Sequence, residues 1–341
     1  MKQSLPLSIA DMRRVVTHGR VGNYALLAGG YHWARHGRTP RQWAMPAALA
    51  FEPTTSCNLR CPECPSGLRQ FSRPTGMADV QTLETALAQT ASHAFYLNLY
   101  FQGEPYLNPQ FFAMAEAGHR AGLLVSTSTN AHYLTDANCK STIESGLGRL
   151  IVSIDGTTQE VYEQYRIGGN LEKVLAGVRK LVAWKKKLNR GPHIEFQFLV
   201  VKPNEHQMEH ARQLARELKV DSLVFKTAQI YDYQNGSDLM PANEKYSRYR
   251  KGTNGQYEIK NPLKNECWRM WSSCVITWDG RIVPCCFDKD AHHQMGTLKT
   301  HSFEEIWHGQ AYKNFRLNVA RGRDQIEICR NCTEGGEIFS S

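Results

Sequence analysis

The feature that most constrains the fold is a regular alternation of apolar strands and helical segments between residues 48 and 226. Most of the strands are separated by helical segments of roughly 10–15 residues, which is the pattern of βαβ units with parallel strands. Six strands are too few for a closed eight-stranded barrel, so we expect an α/β fold with an open, partial (β/α)6 TIM-type barrel. The six predicted strands are 48–53, 94–101, 123–129, 149–155, 193–201 and 222–226.

The chain outside this alternation predicts three further segments. Residues 1–45 mix apolar patches with Arg and His, which favours a helical cap over a basic surface for a membrane or a partner. Residues 232–266 are polar and contain two Asn-Gly pairs, which indicates a connector. Residues 267–341 form a cysteine-rich extension too small to hold its shape without a metal. The predicted core is therefore 46–231.

The role of the ten cysteines depends on the cellular compartment of the protein. The first residues lack the apolar stretch of a signal peptide, and no run of about 18 apolar residues predicts a membrane span. We therefore expect a cytosolic protein, where clustered cysteines are metal ligands or catalytic groups rather than disulfides. Only Cys139 stands apart, as a buried small hydrophobe. The formal net charge of +9 is spread along the chain, so no nucleic-acid partner is expected.

Three cysteines follow the first predicted strand. Cys57, Cys61 and Cys64 are separated by three and two residues, and three soft thiolates on such a loop can bind an iron–sulfur cubane. A structural zinc site is closed by four protein ligands, whereas three leave one metal position open for substrate or cofactor. Zinc remains the alternative, with Cys139 or a distant His as the fourth ligand, but the position after the first strand favours the cluster.

This Cys-x3-Cys-x2-Cys pattern resembles the signature of radical S-adenosylmethionine (SAM) enzymes, and the resemblance extends over residues 48–230. It implies a 4Fe–4S cluster whose open iron binds the amino and carboxylate groups of SAM. In that family an electron, supplied by a reductant such as flavodoxin or ferredoxin, cleaves SAM. The resulting 5′-deoxyadenosyl radical abstracts a hydrogen from the substrate. Glu63 departs from the family, which usually has an aromatic residue there, near the adenine.

Gly103 and Glu104, at the end of the second predicted strand, resemble the Gly-Gly-Glu motif of the family. The resemblance implies that they hold the amino group of SAM. Gln102 takes the place of the first glycine, a tolerable change if this residue does not need a positive φ. Taken alone, these residues could form an ordinary turn.

Further matches follow the third and fourth strands. Residues 126–130 lie where the family often carries Thr-Asn-Gly, and Ser153 and Asp155 lie where it contacts SAM. Arg166 resembles the arginine that binds the SAM carboxylate, a role suited to a guanidinium fork. The segment at Ser153 alone could be a helix N-cap, but matches at successive strand ends together favour a SAM site.

The extension contains a second group of cysteines. Its Asp-Gly turn predicts a β-hairpin, and its pattern resembles the SPASM and shorter twitch extensions of radical SAM enzymes, which hold auxiliary 4Fe–4S clusters. The twitch arrangement implies ligation by Cys267, Cys285, Cys329 and Cys332. Cys286 is the rival of Cys285, Cys274 is a further candidate, and a zinc ribbon is the alternative site.

A fully ligated auxiliary cluster suggests that a substrate is oxidised by two electrons without flavin or nicotinamide. Asp288 is the candidate base for the substrate proton, and a surface turn aspartate is the alternative interpretation. The sequence favours a small molecule or sugar as substrate, because residues 1–45 lack a strand-rich module for binding a peptide. A peptide- or protein-modifying maturase is the second hypothesis, and a non-catalytic metal-binding scaffold is the third.

Overall fold

Strands and helices alternate along the chain as the sequence predicts. The computed structural model describes residues 9–37, 39–261 and 263–333. Its strands are β1 Ala48–Phe51, β2 Tyr96–Asn98, β3 Leu124–Thr129, β4 Arg149–Ser153, β5 His193–Val200, β6 Ser222–Thr227, β7 Tyr249–Lys251, β8 Tyr257–Ile259, β9 Ser273–Ile276, β10 Arg281–Val283 and β11 Gly296–Thr297. Its helices are α1 Ile9–Val15, α2 His18–Arg35, α3 Pro65–Leu68, α4 Val80–Thr90, α5 Phe111–Arg120, α6 Asp136–Glu144, α7 Gln159–Tyr165, α8 Leu171–Leu188, α9 Met208–Glu217, α10 Arg269–Ser272, α11 Phe303–Trp307, α12 Gln310–Gly322 and α13 Glu327–Arg330.

The chain divides into two compact units. The first unit contains residues 1–55, 71–126 and 263–341, and the second contains residues 56–70 and 127–262. The predicted core at 46–231 therefore contributes to both units, and the extension belongs to the first. The exact domain boundaries drawn from the sequence stay a prediction.

The first unit contains the strands β11, β10, β9, β1 and β2 in that order, followed by β3 as far as Ser126. Strand β1 pairs in parallel with β2 and with β9, whereas β9, β10 and β11 are antiparallel. The predicted hairpin of the extension is confirmed, since its turn joins β9 to β10 with Gly280 at a φ of +82°. The extension thus adds strands beside β1, and backbone hydrogen bonds hold it in addition to any metal.

The N-terminal helices belong to the first unit. Tyr24 and Tyr31 of α2 make edge-to-face contacts with Trp268, at ring distances of 5.6 and 5.3 Å. Arg20 of the same helix is buried and donates to backbone carbonyls that include Gly122 O at 2.7 Å. These aromatic and polar contacts hold α2 against the rest of its unit, and the role of residues 1–45 as a cap stays a prediction.

The second unit contains the parallel strands β4, β5 and β6 in that order. Helix α8, which packs beside α6, begins where the Asn170 side chain accepts from Lys173 N at 2.8 Å. It ends at Leu188, and the capping residue Asn189 that follows has a φ of +48°. The segment predicted as a connector, 232–266, contains an antiparallel hairpin formed by β7 and β8. The prediction missed these strands because each has only three residues.

The structure is therefore mixed α/β, with parallel strands joined through helices, and the predicted fold class is confirmed. In the part of the chain that the structure describes, no helix is both long and apolar enough to cross a membrane.

Candidate iron–sulfur and SAM sites

The first cysteine loop is held tightly against the short helix α3. A Cβ atom on Gly67 would lie 2.6 Å from Cys61 N and 2.7 Å from Cys61 O. Only glycine permits so close an approach of two backbone segments. The loop is also bonded to the turn after α7, through Arg60 N and Ile167 O at 3.0 Å. These contacts preset the backbone that carries the three thiols.

N–H groups point at two of the three sulfur atoms. Arg166 Nη1 lies 3.8 Å from Cys61 Sγ, and Asn130 Nδ2 lies 3.9 Å from Cys57 Sγ. Leu59 N also donates to Cys57 Sγ, at 3.4 Å. Because a cluster with three thiolates is anionic, donors and a guanidinium beside the sulfurs suit it. Burial raises the pKa of the Cys61 thiol, and the positive charge of Arg166 offsets part of this rise.

Arg166 is held by a buried carboxylate. Its Nε donates to Asp155 Oδ2 at 2.5 Å, and Leu199 N donates to Asp155 Oδ1 at 2.7 Å. Burial raises the pKa of Asp155, and the charge of Arg166 opposes this rise. For Arg166, burial alone would lower the pKa, but the charges of Asp155 and Cys61 outweigh burial and raise it. Both Asp155 oxygens thus have partners within the protein. This arrangement favours a role in placing Arg166 over a direct contact with SAM.

The other predicted SAM contacts divide between the units. Ser153 is the last residue of β4 in the second unit and is buried. Gly103 and Glu104 lie in the first unit, where Gly103 has a φ of +73° and Glu104 Oε1 accepts from Tyr106 N at 3.2 Å. Gln102 does not have a positive φ, so the backbone tolerates the loss of the first glycine of the motif. The SAM contacts of all these residues stay a prediction.

Glu63, which the family resemblance does not explain, has a structural partner. Its Oε2 accepts a hydrogen bond from Tyr231 N at 2.9 Å. Tyr231 follows β6, so this bond ties the cysteine loop to the chain beyond the last barrel strand. The carboxylate therefore acts as an anchor at a position where an aromatic ring is usual.

Five of the six cysteines of the extension form one electrostatic group. Burial raises the pKa of Cys285, and Cys286, Cys267 and Cys329 raise it further. Burial likewise raises the pKa of Cys329 to about 12, with Arg323 opposing and Cys267 and Cys332 adding to the rise. The predicted set of Cys267, Cys285, Cys329 and Cys332 is thus brought together. Cys286 follows directly in sequence and stays the rival of Cys285.

Cys274 has different surroundings. It lies in β9, where it is 1% exposed and pairs with Leu49 of β1. Burial raises the pKa of its thiol, and the charge that opposes the rise is that of Arg316. A side chain fixed in the sheet core in this way fits a packing role, as does Cys139, which donates to Gly177 O at 3.7 Å.

Sequence reasoning missed a buried arginine at the auxiliary group. Arg323 is 3% exposed, and its Nη2 donates to Cys332 Sγ at 3.2 Å while Nη1 donates to Glu266 O at 2.7 Å. Burial lowers its pKa, but Cys267, Cys332 and Cys329 outweigh this and raise it. Four thiolates around a cubane carry a net negative charge, which this cation offsets. No local motif marks the residue, because it meets the cysteines only through the fold.

Asp288 is not the surface aspartate considered as an alternative. It is 1% exposed, and its two oxygens accept from His292 N at 2.8 Å and His293 N at 2.9 Å. Burial raises its pKa, and the two amides oppose that rise. The carboxylate closes the turn after Cys286, and its role as a base stays a prediction.

Both cysteine groups offer soft thiolates, which suit zinc as well as iron–sulfur clusters. A structural zinc ion binds four ligands at about 2.0–2.3 Å, whereas in a cubane each cysteine binds a different iron. Within 9–37, 39–261 and 263–333, no three His, Cys, Asp or Glu side chains are arranged around the position of a single ion.

The comparison with known families agrees with this chemistry. The Radical SAM superfamily matches residues 51–217, and the iron–sulfur cluster-binding domain SPASM matches residues 267–333. The chain therefore belongs to the radical SAM superfamily and carries a C-terminal SPASM domain. The predicted cofactors are confirmed at this level: a 4Fe–4S cluster, SAM and auxiliary iron–sulfur binding.

Two sequence relatives and one solved structure illustrate what the chain is similar to. The chain is 28% identical over 307 residues to the tungsten-containing aldehyde ferredoxin oxidoreductase cofactor-modifying protein of Pyrococcus furiosus, covering 79% of this chain and 83% of the relative. It is 25% identical over 308 residues to the PqqA peptide cyclase of Ruegeria pomeroyi, covering 84% and 79%. The structure of BtrN in complex with AdoMet and 2-DOIA matches with a TM-score of 0.53 at 18% identity, covering 85% and 94%, which shows a shared fold.

Proposed function

We propose that this protein is a cytosolic radical SAM oxidoreductase that removes hydrogen from a small molecule or sugar in a two-electron oxidation or a related modification. The observation that carries the proposal is the group of Cys267, Cys285, Cys329 and Cys332, in which Arg323 donates to Cys332 Sγ. Four protein ligands leave no open iron for a substrate, so electron transfer is the role available to a cluster held there. When bound, the two clusters supply the electron that cleaves SAM and an acceptor for the substrate electron.

The residues of this chain have defined tasks in that reaction. Cys57, Cys61 and Cys64 hold the first cluster, and Arg166, fixed by Asp155, is the candidate for binding the SAM carboxylate. Gly103, Glu104 and Ser153 are further candidates for holding SAM. Oxidation by two electrons also releases a proton, for which Asp288 is the candidate acceptor. A flavodoxin or ferredoxin is the expected reductant.

A peptide substrate is the second candidate. The similarity to a protein named PqqA peptide cyclase favours it, since 84% of this chain is covered. The described segment 9–37 contributes the two helices α1 and α2, and the labelled substrates in the test below decide between the two candidates.

The test is anaerobic reconstitution of the whole chain, followed by addition of dithionite and SAM. We expect about seven or eight irons per chain and formation of 5′-deoxyadenosine. A deuterated sugar that transfers deuterium to this product would support the first candidate, whereas transfer only from a deuterated peptide would support the second. Absence of 5′-deoxyadenosine with full iron loading would contradict both.

A matched pair of variants separates the two clusters. Exchange of Cys267 for Ala should leave SAM cleavage intact and abolish the oxidised product. Exchange of Cys139, which is buried beside α8, should change neither. If the Cys267→Ala protein still forms oxidised product, the auxiliary group is not the electron acceptor.

A further inference from the structure

A cavity of about 390 Å³ in the first unit has a strongly cationic lining. It lies between residues 40–43, His308 after the end of α11, and helix α12. Arg41, Lys313 and Arg316 line it together with His308, and no acidic side chain does so among the residues that the structure describes. Neither the cysteine groups nor the predicted SAM contacts include any of these residues.

Arg316 forms the buried part of this lining. It is 1% exposed, and its Nε and Nη1 donate to Met270 O at 3.1 Å and Trp307 O at 3.2 Å. Its guanidinium also lies over the rings of Trp307 and Tyr312, at 4.5 and 4.6 Å. The remaining Nη2 is buried without a hydrogen bond to any described part of the chain.

The charge of Arg316 is poorly compensated. No carboxylate forms an ion pair with it in the described part of the protein, and burial lowers its pKa to about 10. Burying an unpaired cation is costly unless a counter-charge approaches it. Arg41 and Lys313 add two exposed positive charges to the lining of the same cavity. A bound anion would therefore interact favourably with all three cations.

Gln42 and Trp43 add further binding chemistry. Gln42 Nε2 donates to Trp271 O at 2.9 Å, whereas Gln42 Oε1 is buried without a donor in the described chain. Trp43 is 44% exposed, and with Pro40 it offers an apolar surface beside the cations. The cavity thus combines anion donors, an unused acceptor and an apolar wall.

We propose that this cavity binds a phosphate group, either free or as the ester of a small hydroxylated molecule. A phosphate monoester carries a charge of about −1.5 to −2 at neutral pH, which matches three arginine and lysine side chains better than a single carboxylate does. Arg316 Nη2 donates to a phosphate oxygen, and a hydroxyl group of the ester donates to Gln42 Oε1. The volume lies within the usual range of about 300–1,000 Å³ for small-molecule sites.

The test is calorimetric titration of the full-length reconstituted protein with inorganic phosphate, ribose 5-phosphate and ribose at an ionic strength of about 0.15 M. We expect saturable binding of a phosphate compound below about 1 mM, and none of ribose. Tighter binding of ribose 5-phosphate identifies an ester site, whereas equal or weaker binding identifies a site for free phosphate. Failure of both phosphate compounds to saturate overturns the proposal.

Substitutions then locate the bound phosphate. R41Q and K313Q should each weaken binding by up to about fivefold, because exposed charges contribute modestly. R316K should weaken it more than about tenfold, since lysine lacks the planar fork. K299Q, an exposed lysine of the same unit outside the cavity, is the matched control. If R316K does not fold, the R41Q K313Q double variant decides: binding equal to that of K299Q overturns the assignment.

Discussion

The contact between Asp155 and Arg166 yields the sharpest prediction. Exchange of Asp155 for Asn keeps an oxygen for Leu199 N but removes the charged acceptor of Arg166 Nε, which now lies at 2.5 Å. The Asp155 side chain is fully buried, so water cannot replace it. We therefore expect the backbone to be preserved while Arg166 loses its fixed orientation.

The size of the effect follows from the type of bond. A hydrogen bond to a charged group contributes about 1.5–3 kcal/mol, and 1.36 kcal/mol corresponds to a tenfold change in an equilibrium constant. If Arg166 binds the SAM carboxylate, D155N should weaken SAM binding by about 10- to 150-fold. The iron content should not change, because Cys57, Cys61 and Cys64 keep their loop.

The assay is the spectral change of the reduced cluster on titration with SAM, together with iron analysis. E195Q is the matched control, because Glu195 forms a similar ion pair with Arg149, at 2.6 Å, near the amino ends of β4 and β5. Unchanged SAM affinity in D155N at full iron content would refute the positioning role. Equal losses in D155N and E195Q would indicate a general defect of the strands instead.

Three further predictions concern the first unit. C285A should remove the iron of the auxiliary cluster, whereas C286A should not. The measurement is iron analysis of both variants, each of which retains the first cluster. Loss of this iron in C286A alone would show that Cys286 is the ligand. R323Q should lower the midpoint potential of the auxiliary cluster, because hydrogen bonds to sulfur and nearby charges set that potential. R323K should keep a potential close to that of the wild type. Equal potentials of R323Q and the wild type in a redox titration would contradict this role. Arg73 and Glu52 form a buried two-point pair, at 2.6 and 2.8 Å, so R73M should reduce the free energy of unfolding by about 3–5 kcal/mol. The double variant E52Q R73M should recover part of that loss in urea unfolding, and no recovery would show that the buried charge is not the cause.

The chemistry-bearing residues of the first loop could be predicted because they are close together in the sequence. The spacing of Cys57, Cys61 and Cys64 contains enough information to indicate an open iron, and the family matches at 51–217 agree with it. Arg166 also could be predicted, from its own short motif, and the structure places it at Cys61. Local sequence was sufficient for each motif because the residues within one motif lie only a few positions apart.

The residues that tune these sites could not be predicted in the same way. Asn130 lies in the segment 126–130 that the sequence marks, but its contact with Cys57, 73 positions away, is defined only by the fold. Arg323 reaches Cys332 through the turn before α13. A guanidinium is not unusual in a polar segment, so nothing in the local pattern distinguishes Arg323.

The segment that contains the β7–β8 hairpin packs against the first cysteine loop. Met240 and Tyr249 pack in one apolar cluster with Leu59 and Cys61, and Tyr249 Oη accepts from Ile230 N at 2.9 Å. An apolar shell around a metal site limits water and thereby influences its redox potential. The polar composition that indicated a connector describes only the outer face of this segment. Its few apolar side chains cover the cysteine loop, so the segment belongs to the environment of the first cluster.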